Sequence, residues 1–302
     1  MNKSSDFLHE RNSRIFIRIF YRYVLTLYRR RFQAVWLDDT AVQPDLRATL
    51  YMGNHNAWWD ALTPLLLNER VLHQRARAMM DEEQLRRYPF FRRLGVFSID
   101  RKHPRRALAS LEHAAALLNG SGYIPGEMPV KKPGSASTSH REQDAPPNAA
   151  REQTGPPAAG TEHAGINKTT QPRDLPPSLR PVGLWFYPEG KLVRPEKPVT
   201  VEGGITWLVR KLDPARTRIV PFASHIHHMR SDKPELFVRI GKPMDQRLFE
   251  LRGDPVRDET HSDRISITLR QLRDALRRDS GTFDADGYPA GGFRLLLGRI
   301  KP

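Results

Sequence analysis

RATLYMGNHNAWWD, residues 47–60, combines a strand pattern, a turn and the start of a helix. Arg47–Met52 is a candidate for a short apolar strand, Gly53-Asn54 supplies a turn, and a helix is expected to begin near Ala57. A strand that feeds directly into a turn and a helix is typical of α/β domains. The stretch therefore predicts an α/β fold.

The same stretch carries a histidine and an aspartate five positions apart, His55 and Asp60. On a regular helix these side chains would point about 140° apart, so they meet only if His55 lies in the turn and Asp60 in the first helical turn. A pair in contact would provide a base and its orienting partner. The alternative is a solvent-facing histidine with an unrelated aspartate, and the same spacing recurs at His227 and Asp232.

Outside this stretch the chain alternates between strand and helix patterns. Strands are predicted over 96–99, 182–187, 218–223 and 236–240, and helices over 59–67, 81–88, 104–118, 203–212 and 262–278. Residues 126–181 are rich in Pro, Gly, Ser, Thr and charged residues and lack apolar periodicity. This composition predicts a disordered insertion, because it cannot bury enough apolar surface to offset chain entropy.

Composition limits the chemistry and the partners. The chain has 302 residues, a formal net charge of +15 and no cysteine. Disulfides, thiolate metal sites and a cysteine nucleophile are excluded. The positive charge favours an anionic partner: nucleic acid, an acidic membrane surface or phosphorylated small molecules. We expect neither a signal peptide nor a transmembrane span, because the longest apolar candidate, residues 15–28, is interrupted by Arg18 and Arg22.

The N-terminal segment, residues 1–32, is predicted to contain a basic amphipathic helix that associates with a membrane. Arg14, Arg18 and Arg22 recur every four residues, and the remaining positions are mostly aromatic or aliphatic. Such a helix suits the headgroup region of an anionic bilayer. The alternative is a helix packed on the domain with its arginines outward.

Three further sequence blocks contain a predicted strand, and two of them continue into polar residues at the end of that strand. The first, residues 95–101, ends in Arg101, whose fork can donate two parallel hydrogen bonds to a phosphate. The second, residues 185–191, places Glu189 and Gly190 in the turn after an aromatic strand. The third, residues 219–223, is an apolar strand whose internal Pro221 suits an edge or a bend.

In chain order, Asn54-His55-x4-Asp60, the block ending in Arg101, Tyr187-Pro188-Glu189-Gly190 and Val220-Pro221-Phe222 resemble the four motifs of the glycerolipid acyltransferase family, which includes the 1-acylglycerol-3-phosphate acyltransferases. The resemblance covers roughly residues 33–245 apart from the insertion. It implies a mixed sheet flanked by helices, with an acyltransferase domain over 33–302.

The resemblance also implies roles for single residues. His55 would be the general base for an acceptor hydroxyl and Asp60 its orienting partner. The hydroxyl would attack the thioester of acyl-CoA or acyl carrier protein directly, and no resident cofactor is expected. Arg101, Glu189 and Gly190 would bind the head of a lysophospholipid acceptor. The expected setting is phospholipid biosynthesis at the cytoplasmic face of the cell membrane, with the enzyme bound peripherally.

The third motif departs from the family pattern. The family usually continues Glu-Gly-Thr-Arg, whereas this chain continues Lys191-Leu192-Val193-Arg194. Lys191 and Arg194 are the expected substitutes in substrate binding, although a lysine cannot reproduce a bidentate fork. Another membrane lipid hydroxyl, such as that of a glycolipid, therefore stays open as the acceptor.

Two other interpretations of the sequence have less support. His225, His227 and His228 suggest a metal site, but no carboxylate accompanies them at ligand spacing, so we expect no metal. The net charge suggests a nucleic-acid-binding protein as a function of another class. No recognised binding module supports that function, so we expect no nucleic-acid partner.

Overall fold

A mixed sheet of eight strands lies between helices in the computed structural model, which describes residues 7–42, 45–121, 170–228, 231–249 and 255–299. The spatial order of the strands is β4-β3-β5-β2-β6-β7-β1-β8. The strands are β1 (Ala34–Asp38), β2 (Ala48–Gly53), β3 (Arg75–Asp81), β4 (Val96–Ile99), β5 (Val182–Phe186), β6 (Thr217–His227), β7 (Glu235–Ile240) and β8 (Arg294–Gly298).

The helices are α1 (Arg14–Arg31), α2 (Thr63–Leu67), α3 (Glu82–Arg87), α4 (Pro104–Asn119), α5 (Gly204–Arg210) and α6 (Pro255–Asp279). Short 3-10 turns cover Trp58–Ala61, Pro89–Leu94, Pro172–Asp174 and Gln246–Phe249, and a π turn covers Asn68–Leu72. The predicted α/β class with a mixed sheet flanked by helices is confirmed. No helix among the described residues is long and apolar enough to span a bilayer.

Five neighbouring strands, from β4 to β6, run parallel, so their carboxyl ends meet at one edge of the sheet. Strands β7 and β1 run the opposite way, because β7 pairs antiparallel with β6 and parallel with β1. Three loops lie at this edge of the sheet. They are the turns after β2 and β5 and the loop after β4 that contains Arg101. In α/β sheets this edge is where ligands usually bind.

Strand β2 is buried along its whole length because helices cover both faces of the sheet. Ala48, Leu50 and Met52 point into a core shared with α4, α5 and α6. Tyr51 points into a second core that α1 and α2 cover. This burial on both faces explains why the strand reads as an apolar run.

Helix α1 begins at its cap Ser13, whose hydroxyl accepts a hydrogen bond from the backbone N–H of Phe16. It packs on the sheet through buried Val24 and Tyr28. Ile15 and Ile19, by contrast, are 77% and 63% exposed. The helix is therefore both packed on the domain and apolar on its outer side, which neither sequence interpretation foresaw alone.

Several sequence predictions need correction. The helix predicted over 59–67 is a 3-10 turn followed by the short α2. Strands β1, β3 and β8 were not predicted. Pro221 lies on an inner strand and not on an edge. Its carbonyl accepts a hydrogen bond from the backbone N–H of Gly241, just beyond the end of β7.

The predicted insertion, 126–181, falls mostly outside the described residues. Residues 170–181, at the predicted end of the insertion, are described and include the 3-10 turn Pro172–Asp174. The backbone N–H of Arg75 donates to the carbonyl of Pro181, and buried Pro172 lies in a 3-10 turn. These contacts join the segment to β3.

Candidate active site

His55 and Asp60 are in contact at the edge where the parallel strands end. The Nδ1 atom of His55 lies 3.2 Å from Oδ2 of Asp60. The turn Gly53–Ala57 brings His55 back over the 3-10 turn that carries Asp60. The contact predicted from the sequence is therefore present, with a 3-10 turn in place of the expected α-helical turn.

Asp60 is buried and collects hydrogen bonds from several directions. Its Oδ2 accepts from the backbone N–H groups of Asn56 and Ala57, each at 2.8 Å, and its Oδ1 accepts from the Ser224 hydroxyl at 2.7 Å. These donors fix the carboxylate, and the fixed carboxylate selects the tautomer of His55 that carries its proton on Nδ1. The Nε2 atom is then the free acceptor. The imidazole is 21% exposed, so a ligand can reach it.

Tyr187 supports the pair from the other side of the ring. Its ring stacks on the His55 imidazole with centroids 4.4 Å apart, and its hydroxyl donates to the backbone carbonyl of Asp60. Burial, reinforced by the negative charge of Asp60, holds the pKa of Tyr187 well above its ordinary value. The phenol therefore stays a hydrogen-bond donor. The sequence places Tyr187 in the third motif, but its contact with His55 was not predicted.

Strands β2 and β6 are locked together beneath the pair. The Asn54 amide donates to the carbonyl of Ser224 at 3.1 Å and accepts from its N–H at 2.9 Å. A Cβ on Gly53 would lie 2.2 Å from the Phe222 ring, so this position requires glycine. The two hydrogen bonds between Asn54 and Ser224 position the Ser224 hydroxyl next to Asp60. No local sequence signal identifies Ser224, because its partner is 164 residues away.

Glu189, predicted from the resemblance to bind the acceptor, lies beneath the His55 turn. It is buried, and its carboxylate accepts the backbone N–H of His55 at 2.8 Å. Burial raises the pKa of Glu189 despite that hydrogen bond. On the other side, the N–H of Val193 donates to the His55 carbonyl at 2.8 Å. The third motif therefore holds the backbone of His55 at both its N–H and its carbonyl.

Arg101 and Gly190 come together at the same edge. The guanidinium donates to the Gly190 carbonyl and, at 3.2 Å, to a Glu202 oxygen. Gly190 has φ +63°, and a Cβ there would lie 2.8 Å from Cζ of Arg101, so glycine is required. Arg101 remains 38% exposed. It lies at the same sheet edge as His55, but two of its N–H groups already donate to protein oxygens.

Lys191 and Arg194 are exposed on the segment that follows Gly190. Neither forms an ion pair with another described residue. The hydrogen bond from Val193 to His55 keeps their segment beside the His55 turn. Both side chains are thus available to an anionic ligand near the site.

His225, His227 and His228 belong to no group of three potential metal ligands within the part of the chain that the structure describes. Among the described residues, the one group of three potential ligands is His9, Glu10 and His113, on the N-terminal segment and α4. There Glu10 already accepts a hydrogen bond from His113 and faces Arg77 at 3.5 Å.

The second histidine–aspartate pair of the sequence behaves differently from the first. His227 and Asp232 form no ion pair with each other, although both are described. The Nδ1 atom of His227 is buried without a hydrogen-bond partner. The same spacing therefore produces a contact at His55 and none at His227.

Comparison with known proteins gives neither a matching family model nor a significant match among curated proteins.

Proposed function

We propose that this protein is an acyltransferase that moves a fatty acyl group from acyl-CoA or acyl carrier protein to a hydroxyl of a lysophospholipid-type acceptor. The first candidate acceptor is 1-acylglycerol-3-phosphate, which would place the reaction in phospholipid biosynthesis. The observation that carries the proposal is the pair itself: His55 Nδ1 faces a buried, fully hydrogen-bonded Asp60 while Nε2 remains open.

The pair suits proton transfer from a hydroxyl. His55 Nε2 takes the acceptor proton as the acceptor oxygen attacks the thioester carbonyl carbon. Asp60 stabilises the imidazolium that forms. The tetrahedral intermediate then collapses, the carbon–sulfur bond breaks, and the departing thiolate takes the proton back from the imidazolium. Direct transfer also agrees with a chain that has no cysteine nucleophile.

A different acceptor, such as a glycolipid hydroxyl, is the second candidate. It is favoured by the contacts of Arg101, whose guanidinium already donates to Gly190 and Glu202. A phosphate would therefore compete with protein oxygens for that side chain. Lys191 and Arg194 are two exposed cations on the segment beside the His55 turn.

The proposed location is peripheral, on the cytoplasmic face of the cell membrane. Its support is α1, whose exposed Ile15, Ile19 and Tyr23 lie beside the exposed Arg14 and Arg18. Apolar side chains next to arginines suit the boundary between headgroups and acyl chains. An acceptor dissolved in the membrane would then reach the site without leaving the bilayer surface.

An acceptor panel tests the proposed reaction. The purified protein is incubated with acyl-CoA or acyl carrier protein and with lysophosphatidate, other lysophospholipids, monoacylglycerol or a glycolipid, and the lipids are analysed by mass spectrometry. We expect a new acylated product that depends on both the donor and the acceptor. Absence of acylated product with every donor and acceptor would refute the proposal.

A further inference from the structure

We propose that a groove beside the turn that carries Asp60 binds the phosphate and the acyl chain of an anionic lysolipid acceptor. This inference rests on the proposed function. The groove has a volume of about 650 Å³, within the usual range for ligand pockets. Its main lining residues are Arg30, Arg31, Trp58, Trp59, Ile226 and Lys233.

The strand register places the groove near Asp60. Ser224, which hydrogen-bonds Asp60, and Ile226, which lines the groove, are two residues apart on β6 and so share one face of the sheet. Two residues along a strand correspond to roughly 7 Å. Trp58 and Trp59 lie in the 3-10 turn that carries Asp60. The groove therefore lies beside the turn that carries Asp60.

The charge of the groove selects an anion. Arg30 and Arg31 are exposed in the last turn of α1, and Lys233 is exposed on the β6–β7 connection. None of the three forms an ion pair with another described residue. Asp232 is the one carboxylate among the lining residues, so cations are in excess. These three cations could donate hydrogen bonds to a phosphate monoester, whereas Arg101 already donates to Gly190 and Glu202.

The floor of the groove suits an acyl chain. Trp58 is 54% exposed and stacks on Trp59 with centroids 4.3 Å apart. Trp59 in turn packs edge-on against Phe32. The groove thus combines an apolar surface, Trp58, with the cations Arg30 and Arg31, as a lysolipid combines an acyl chain with a phosphate. Arg30 and Arg31 lie in the last turn of α1, the helix expected to contact the membrane.

The test separates the groove from general charge attraction. The groove variant is Arg30→Gln, Arg31→Gln and Lys233→Gln together. The matched control is Arg105→Gln, Arg270→Gln and Arg278→Gln, which removes three exposed arginines from α4 and α6 on the other face of the sheet. Binding of octanoyl lysophosphatidate and of monooctanoylglycerol is measured by calorimetry, which requires no enzymatic turnover.

We expect the groove variant to bind octanoyl lysophosphatidate at least tenfold more weakly, and the control to bind it as the wild type does. In activity assays, the KM for lysophosphatidate should rise in the groove variant while kcat and the KM for acyl-CoA stay unchanged. Equal weakening in both variants, unchanged binding in the groove variant, or a rise in the KM for acyl-CoA instead would overturn the inference. Binding without any acyl transfer by the wild type would refute the proposed function and leave the groove supported.

Discussion

At the scale of single residues, the site depends on contacts between distant parts of the chain. The sequence predicts that His55 and Asp60 can meet, because they share one turn. It does not predict that Ser224 donates to Asp60 or that Tyr187 stacks on His55, since neither contact follows from local spacing. Glu189 illustrates the same limit: its motif is recognisable, but its burial under the His55 backbone is a tertiary feature.

Ser224 is a positioning residue, and its removal should affect turnover more than binding. Ser224→Ala deletes a 2.7 Å hydrogen bond to a buried carboxylate, an interaction of about 1.5–3 kcal/mol. We expect kcat to fall about tenfold with little change in KM. Ser224→Thr, which keeps the hydroxyl, should recover most of the rate. Equal kcat in Ser224→Ala and the wild type would show that this hydrogen bond does not orient the pair.

His225 should make stability depend on pH. Burial, with the charges of His227 and Arg277, lowers the pKa of His225 to about 4. The unfolded chain therefore takes up this proton near pH 6.5 and the folded protein only near pH 4, so stability falls as pH drops between those values. Between those pH values the free energy of unfolding should decrease less in His225→Gln than in the wild type, by on the order of 2 kcal/mol.

The measurement for His225 is urea unfolding of wild type and variant across the same pH range. Other titrating groups, including Glu189, are common to both proteins and cancel in the difference. Parallel pH curves for the two proteins would contradict the assigned burial of His225.

At the scale of elements, the sequence predicts strands that are apolar throughout and misses those that depend on partners. Strands β2, β4 and β5 appear as predominantly apolar runs, because helices cover both sheet faces. Strand β3, residues 75–81, begins with alternating arginine and alanine, so its sequence does not indicate a buried strand. It pairs with β4 and β5, and its buried Arg77 contacts Glu10, 67 positions away. Strand β8 forms by pairing with β1 at the opposite end of the chain.

The close approach of β2 and β6 gives an element-scale prediction. Gly53→Ala places a Cβ 2.2 Å from the Phe222 ring, and overpacking of this kind costs typically about 1–3 kcal/mol. We expect a lower free energy of unfolding together with reduced activity, because β2 leads into the His55 turn and β6 carries Ser224. The double variant Gly53→Ala, Phe222→Leu should regain part of the stability. If Gly53→Ala unfolds at the wild-type denaturant concentration, the two strands are not so closely packed.

At the scale of the whole molecule, the net charge of +15 allows several anionic partners, and the arrangement of the exposed side chains favours one. Ile15, Ile19 and Tyr23 form an apolar stripe on the outer side of α1. Nucleic acid would not require such a stripe, whereas a bilayer would bury it. The fold class was predictable because strand and helix patterns alternate, while the exposure of this stripe depends on which side of α1 packs on the sheet.

Vesicle binding tests this arrangement. Burying an isoleucine side chain contributes about 1.5–3 kcal/mol, so the triple variant Ile15→Ser, Ile19→Ser, Tyr23→Ser should bind anionic vesicles at least about tenfold more weakly. Sedimentation with vesicles and with DNA at matched salt measures both partners. Strong DNA binding with steep salt dependence, and no loss of vesicle binding in the variant, would favour the nucleic-acid alternative instead.

A comparison of the two histidine–aspartate pairs of this chain tests whether His55 is the base. Thiol release from acyl-CoA in the presence of lysophosphatidate is measured for the wild type, His55→Ala and His227→Ala, with folding checked by circular dichroism. We predict that His55→Ala lowers kcat by about 10²–10⁴, the usual contribution of a general base, and that His227→Ala keeps the wild-type rate. A folded His55→Ala variant that releases thiol at the wild-type rate would contradict the assignment of His55 as the base.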